Sequence, residues 1–321
     1  MSVVGKLLSM LAAIGLFLLV VAVVLLVAGR LKGRHEDRRV GWVFVAPTLG
    51  MLALAVVYPA LRTLVQSTFN AGGTAFVGLD NYARVLTQPS MMMVLRNTAV
   101  WVVVAPTAAT AIGLLYAVLV DRARFESIAK SLIFLPMAIS FVGASIIWKF
   151  IYEYRYTEPG VEQIGLLNQV VVWLGGTPQQ WLLLQPANTL LLIVPMVWIQ
   201  AGFAMTVLSA AIKAIPTDII EGAMIDGVSG LSMFRHITLP SIRSSLVVVV
   251  TTVALWTLKV FDIVRTMTGG QFQTSVLANE FYTQTFRVGD RGLGATLAVF
   301  LFILVLPVVL YNVRQMRRAE L

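Results

Sequence analysis

Residues 217–240 read TDIIEGAMIDGVSGLSMFRHITLP and lie between two long apolar segments. Asp218 and Glu221 have the spacing of a capping box, which predicts a short helix that Asp218 caps. Gly227 is suited to end that helix, because glycine adopts the left-handed conformation of a helix C-terminus at little cost. A second helical piece is predicted to follow and to stop before Pro240. The stretch therefore predicts a helix–turn–helix at a membrane surface, of a kind that another protein can hold.

The composition places the chain among membrane proteins. Its 321 residues are 58% hydrophobic and 12% charged, and the mean hydropathy is +0.86. A soluble domain carries about 25% charged residues, so the charge deficit indicates several membrane spans. The net charge of +9 does not indicate a nucleic-acid partner, because the basic residues lie in short segments beside apolar spans. The absence of cysteine excludes disulfides and cysteine metal sites, and we expect no metal or cofactor.

Seven apolar segments are each close to the length of about twenty residues that crosses the hydrocarbon core. They predict an all-α polytopic membrane protein with about seven transmembrane helices. The first segment is too long for the core of a signal peptide, and its basic cluster follows it, so it is interpreted as a retained helix. The segments are 7–29, 41–62, 98–120, 131–152, 189–212, 244–265 and 292–313.

The distribution of Lys and Arg predicts the orientation of these spans. Four segments between or after spans carry 14 of the 24 Lys and Arg residues. Short loops rich in these residues stay in the cytoplasm, so the N-terminus is predicted outside and the C-terminus in the cytoplasm. Residues 1–40 are then an extra N-terminal helix with a basic cytoplasmic segment, and 41–321 are a six-helix domain. The four basic segments are 30–40, 121–130, 213–243 and 314–321.

The opening stretch resembles the EAA signature of permease subunits of bacterial ABC importers, which has the form E-A-A-x-x-D-G and ends in I-x-L-P. Gly222 departs from the pattern, since the family usually has alanine there, and glycine weakens the local helix by ~1 kcal/mol. Segments 58–62, 78–82 and 268–270 are similar to the sugar-type branch of these permeases, and 164–168 is similar to its α-glucoside members. The matching signature residues are Glu221, Ala223, Asp226, Gly227, Phe234, Ile237, Leu239 and Pro240.

This resemblance implies a type I ABC importer permease in a bacterial inner or plasma membrane. Such a subunit forms half of a pore with a second, homologous permease, together with an ABC ATPase dimer in the cytoplasm and an external solute-binding protein. The implied solute is a sugar, such as an α-glucoside oligosaccharide. The chain has no G-x-x-x-x-G-K-[ST] phosphate loop, so we expect a non-catalytic subunit whose partner uses the ATP. The residues implied to couple the ATPase to the pore are Glu221, Ala223, Asp226, Gly227, Ile237, Leu239 and Pro240.

Polar and indole side chains inside apolar spans are candidates for the solute pathway, because polar groups there usually face a cavity or the interior of a bundle. These candidates are Trp198, Gln200, Trp256, Lys259 and Asp262. Planar hydrogen-bonding groups and aromatic faces are what sugars require. A structural role stays open: the two tryptophans would then pack, and Lys259 and Asp262 would pair on one helix face.

Other functions also stay open from the sequence. An importer permease for another solute, such as glycerol phosphate, would carry the same signature. An ion-coupled secondary transporter would favour internal repeats and deep carboxylates, and only Asp262 is near such a depth. An intramembrane metalloprotease would need His-Glu-x-x-His, which the sequence lacks, and a structural scaffold would not need a folded loop.

Overall fold

The regular secondary structure in a computed structural model of the chain is entirely helical within the described residues. The basic residues Lys32 and Arg34, and Ile164 of the α-glucoside-like segment, lie outside those residues. The Cα positions divide the chain into two compact units, 1–65 and 66–321. The predicted domain boundary after residue 40 concerns membrane topology and stays a prediction. The described residues are 3–30, 36–121, 123–156 and 165–319.

The N-terminal unit is built from long apolar helices. Helix α1 spans Val3–Arg30, and α2 spans Glu36–Leu52. A π-helical turn at Ala53–Val57 continues α2 into α3, Tyr58–Gln66. Both helical stretches are long and apolar enough to cross a membrane, as predicted for the first two spans.

The larger unit packs around three long helices that bury a shared apolar core. Trp101, Met205 and Val253 come from different members of this trio and are fully buried. A Cβ added at Gly113 would lie 2.4 Å from the Cβ of Ala204, so only glycine allows two of these helices to approach so closely. The helices of this unit are α4 (Asp80–Thr87), α5 (Pro89–Val120), α6 (Glu126–Phe134), α7 (Phe141–Ile151), α8 (Leu166–Trp173), α9 (Ala187–Lys213), α10 (Thr217–Ile225), α11 (Gly230–Met233), α12 (Leu239–Ser241), α13 (Arg243–Leu258), α14 (Asp262–Met267), α15 (Leu277–Tyr282) and α16 (Arg291–Ala319). Helices α5, α9 and α13 form the trio.

Two of the predicted spans are broken rather than continuous. A 3₁₀ turn at Leu135–Ala138 extends α6, and the chain then bends by 101° into α7. Pro136 lies in the 3₁₀ turn, and the Oγ of Ser140 accepts a hydrogen bond from the N–H of Gly143 (3.1 Å), which starts the new helix. The α11–α12 stretch meets α13 at 70°, and α13 ends at Leu258, before the predicted end of its span.

The number of spans agrees with the sequence-based prediction. Within the described residues, five helices are long and apolar enough to cross a membrane, and the number rises to seven if each bent pair counts as one span. The predicted all-α polytopic fold is confirmed.

The loop after the second span packs onto the start of α16. Its segment 78–82 continues into helix α4, which begins at Asp80. The Nδ2 of Asn81 donates to the carbonyl oxygens of Ser67 (3.0 Å) and Phe69 (2.7 Å), and the hydroxyl of Thr296 donates to the same Ser67 oxygen (3.1 Å). The resemblance at 78–82 thus marks a structural contact that holds this loop against the last span.

Candidate functional site

A cavity of about 380 Å³ lies beside the middle of α9, between the break that separates α6 from α7 and the break that separates α13 from α14. The turn between α6 and α7 contributes Ser140 and Phe141, and the turn between α13 and α14 contributes Val260 and Phe261. In a membrane protein, non-helical backbone is tolerated where it is buried in protein or lines a water-filled cavity. The two helix breaks are therefore explained by the cavity that they line, and this cavity is a candidate solute pathway.

Gln200 brings an unpaired amide oxygen to this cavity. The residue lies on α9 and is only 2% exposed, and its Oε1 accepts no hydrogen bond from the described residues. A buried polar group without a partner costs about 1–3 kcal/mol.

Lys259 and Asp262 also line the cavity, on the two sides of a helix break. Lys259 follows the last residue of α13, whereas Asp262 is the first residue of α14. The pairing on one helix face, the structural alternative for these residues, is therefore wrong, because α13 ends before Lys259 and α14 begins at Asp262. No ion pair joins these two side chains in the part of the chain that the structure describes.

The two candidate tryptophans have different surroundings. Trp256 lines the cavity, and its ring lies 5.3 Å from that of Phe203 at an angle of 52°. Trp198 does not line this cavity, and its ring meets that of Trp148 edge-on at 6.0 Å. The structure thus brings four of the five predicted pathway residues together and leaves Trp198 in an aromatic contact elsewhere.

The cavity has the size of a ligand site, and its mostly apolar lining carries four polar side chains, those of Ser140, Gln200, Lys259 and Asp262. Its volume falls in the range of about 300–1,000 Å³ that ligand pockets occupy. An amide, an ammonium and a carboxylate can all bond hydroxyl groups, and the two opposite charges leave no net charge for the ligand to balance. The lining therefore suits an uncharged solute that is rich in hydroxyl groups. Sequence reasoning missed Ser140 and Phe141, although Pro136 was the available signal of a break.

The segment 213–243, which contains the signature, is called the signature loop. Its first half forms α10. This helix begins at Thr217, after Pro216, and no side chain of the described residues caps its N-terminus. The predicted capping box is therefore wrong, because Asp218 already lies inside the first helical turn. Glu221 and Asp226, the two acidic signature residues, are both exposed.

Gly227 ends α10 as predicted, with a left-handed φ of +78°. Its N–H donates to the carbonyl oxygen of Met224 (3.0 Å), and the N–H of Val228 donates to that of Ala223 (2.9 Å). These two bonds form a Schellman motif, which fixes the direction of the chain after the helix.

The signature loop has one packed side and one exposed apolar side. Ala223 is buried and Ile220 packs against the core, so these residues hold α10 onto the membrane helices. Ile225 and Leu231 are instead 86% and 79% exposed. Sequence reasoning missed these two, although their apolar character in a loop predicted to be cytoplasmic was a usable signal of a binding surface.

The second half of the loop does not stop at its proline. A π-helical turn at Phe234–Thr238, which includes Ile237, leads into α12, which begins at Leu239 and contains Pro240. The expected stop before Pro240 is therefore wrong, and the bend falls at Ile242. A proline is tolerated here because it occupies the first turn of a short helix, where its missing N–H is not needed.

Comparison with protein families identifies residues 109–318, which contain the signature loop and the cavity. They match the model described as "Binding-protein-dependent transport system inner membrane component". The alpha-glucoside transport system permease protein of Rhizobium meliloti is 48% identical to this chain, over 86% of this chain and 82% of its own length. The osmoprotective compounds uptake permease protein of Synechocystis sp. is 47% identical, over 86% of this chain and 99% of its own length.

The fold is also similar to a solved structure. A chain from a bacterial alginate ABC transporter, crystallised with an alginate pentasaccharide-bound periplasmic protein, superposes with a TM-score of 0.73. The alignment covers 90% of this chain and 98% of the other, at 19% identity, so it supports the fold.

Proposed function

Since this chain belongs to the family of binding-protein-dependent transport system inner membrane components, we propose that it forms half of the pore of an ATP-driven sugar importer. The chain is a permease subunit of the ABC importer type. The observation that carries the proposal is the cavity between the interrupted helices, where Gln200, Lys259 and Asp262 gather without pairing with one another.

The proposed solute is an α-glucoside. The relative from Rhizobium meliloti is named for alpha-glucosides, and the hydroxyl-bonding lining of the cavity is compatible with a sugar. Trp256 adds an aromatic face to that lining. Glycerol phosphate, the other candidate solute, carries two negative charges. In this cavity its phosphate could pair with Lys259 but would also be repelled by Asp262.

The proposed link to the energy source is the signature loop. Its exposed residues Ile225 and Leu231 offer an apolar contact to a cytoplasmic ATPase, and Glu221 and Asp226 offer acidic groups for basic partners. A short helix fixed at both ends transmits a displacement better than a flexible coil. ATP is bound and hydrolysed by that partner, which we propose to be a dimer.

The proposed assembly also contains a second, homologous permease and an external solute-binding protein. The superposed alginate transporter was crystallised with a periplasmic protein, which supports a partner of that kind. The assembly lies in the bacterial inner membrane, with this chain's N-terminus outside and its C-terminus in the cytoplasm.

Purification from native membranes followed by reconstitution tests the proposal. We expect a second permease, an ATPase and a binding protein to purify with the chain and to be identified by mass spectrometry. In liposomes, the complex should take up maltose, trehalose or sucrose only with ATP inside, and should ignore glycerol 3-phosphate. Uptake of glycerol 3-phosphate alone would contradict the sugar assignment. A chain that purifies alone and transports without ATP would contradict the importer.

A further inference from the structure

Among the described residues, four charged side chains meet at the end of the membrane helices that adjoins the signature loop. Asp121 follows α5, Glu126 and Lys130 lie in the first turns of α6, and Lys213 is the last residue of α9. The Nζ of Lys130 lies 2.5 Å from Glu126 Oε1 and 3.9 Å from Asp121 Oδ1. The Nζ of Lys213 contacts the same oxygen of Glu126 and lies 3.5 Å from Asp121 Oδ1. Two lysines thus share two carboxylates and join the ends of three helices.

The carboxylates of this cluster are partly shielded from water, whereas the side chain of Lys213 is 52% exposed and Asp121 Oδ1 accepts no hydrogen bond from the described residues. The side chains of Asp121 and Glu126 are only 13% and 24% exposed, which limits the screening of their charges by water. The Nζ of Lys130 also contacts the hydroxyl of Ser209 on α9. Glu126 lies at the N-terminus of α6, where the helix dipole favours negative charge. Lys213 lies at the C-terminus of α9, where the dipole favours positive charge.

The same cluster adjoins the packed side of the signature loop. A cavity of about 360 Å³ separates part of that loop from the ends of α5 and α9. Asp121 lines it together with Ile220 and Met224 of α10 and Met233 of α11. A displacement of the loop into this space would therefore act directly on Asp121.

From the cluster, α6 leads to the candidate solute pathway. Its extension through Met137 reaches Ser140, and both residues line the 380 Å³ cavity. A Cβ added at Gly202 of α9 would lie 2.7 Å from the carbonyl oxygen of Ile133, so α6 and α9 are in close backbone contact. The cluster and this contact fix α6 to α9 at two levels along the helices.

Resting on the proposed function, we propose that Asp121, Glu126, Lys130 and Lys213 form a charge clamp that relays movement of the signature loop to the α6–α7 bend. The clamp residues are positioning residues, because they act on the pathway through α6. Without the clamp, the loop still follows the ATPase, but α6 is held to α9 mainly by the contact at Gly202 and follows the loop less closely, so less solute is transported for each ATP hydrolysed.

The Lys213→Met variant tests the clamp in the reconstituted complex. This change keeps the aliphatic stem and removes the charge that binds both carboxylates. We expect ATP hydrolysis, stimulated by binding protein loaded with maltose, to stay close to the wild-type rate. Uptake of radiolabelled maltose per ATP hydrolysed should fall about tenfold, which is within the usual range of coupling between sites. If the wild type prefers trehalose or sucrose, that sugar replaces maltose.

Two matched variants distinguish the effect of losing the clamp from the effects of losing any positive charge or of misfolding. Lys213→Arg keeps the charge and should restore coupling. Arg124→Met removes one positive charge from an exposed residue of the same region and should leave coupling unchanged. Normal coupling in Lys213→Met, or an equal loss of hydrolysis and transport in an assembled complex, would overturn the proposal.

A milder variant keeps the test decisive if Lys213→Met does not assemble. Ser209→Ala removes only the hydroxyl that Lys130 contacts, and it should reduce transport per ATP in the same direction by a smaller factor. Unchanged coupling in this variant would then overturn the clamp. Failure of the wild-type complex to import any sugar with ATP is a separate result, which contradicts the proposed function instead.

Discussion

Gln200 is expected to lower the stability of the empty protein and to contribute to solute binding. Its buried Oε1 has no hydrogen-bond partner among the described residues, so the amide costs stability in the empty protein. Leucine has a similar size and no polar atoms. We therefore expect Gln200→Leu to be at least as stable as the wild type without sugar, by thermal unfolding in detergent. Its KM for sugar uptake should rise about fivefold, the effect of one lost hydrogen bond.

The combination of these two results identifies a residue that contacts solute. Thr206→Val is a suitable control, because the hydroxyl of Thr206 donates to the carbonyl oxygen of Gly202 in the same helix (2.9 Å) and has no other hydrogen bond among the described residues. It should leave KM unchanged. A Gln200→Leu protein that loses stability and keeps its KM would show that the amide serves packing.

At the scale of the element, two glycines have opposite effects on α10, one inside the helix and one just after its end. Gly222 lies within the helix, and no described atom beyond the adjoining backbone is within 4 Å of a Cβ built there. Gly222→Ala should stabilise α10 by about 1 kcal/mol, because alanine is the better helix former. Gly227 has an equally open surrounding but a φ of +78°, so Gly227→Ala should destabilise the turn by about 1–2 kcal/mol.

Thermal unfolding and uptake of the two variants check this contrast, and each variant is the control for the other. Both changes add one methyl group about one turn apart, so a difference between them reports backbone conformation alone. Lower uptake with Gly227→Ala and unchanged uptake with Gly222→Ala are expected. Equal effects would mean that the left-handed turn is unimportant for the signature loop.

The elements also show where sequence-based prediction succeeds and where it fails. Apolar length gave the seven spans, and the glycine at 227 gave the end of α10, because both signals are local. The start of α10 was mispredicted, because Pro216 outweighed the capping pattern at Asp218. The bend at Ser140 and the meeting of Gln200 with Lys259 depend on the packing of distant segments, which no local pattern encodes.

The whole molecule has a predicted orientation that its lack of cysteine makes simple to test. Lys and Arg concentrate in alternate segments, and such segments resist translocation across the membrane. Single cysteines can be placed at Gly72 and at Ser229, which lie in loops predicted on opposite sides. In spheroplasts, a membrane-impermeant maleimide should label Gly72→Cys at once and Ser229→Cys only after the membrane is opened.

The position of the N-terminus decides whether the first helix spans the membrane. A third variant, Ser2→Cys, should react from outside as Gly72→Cys does. The basic segment at 30–40 then lies in the cytoplasm between the first two spans. If Ser2→Cys reacts only in opened membranes while Gly72→Cys reacts from outside, α1 does not cross. The number of spans is then six, and the charge pattern after α1 marks a helix lying at the cytoplasmic surface.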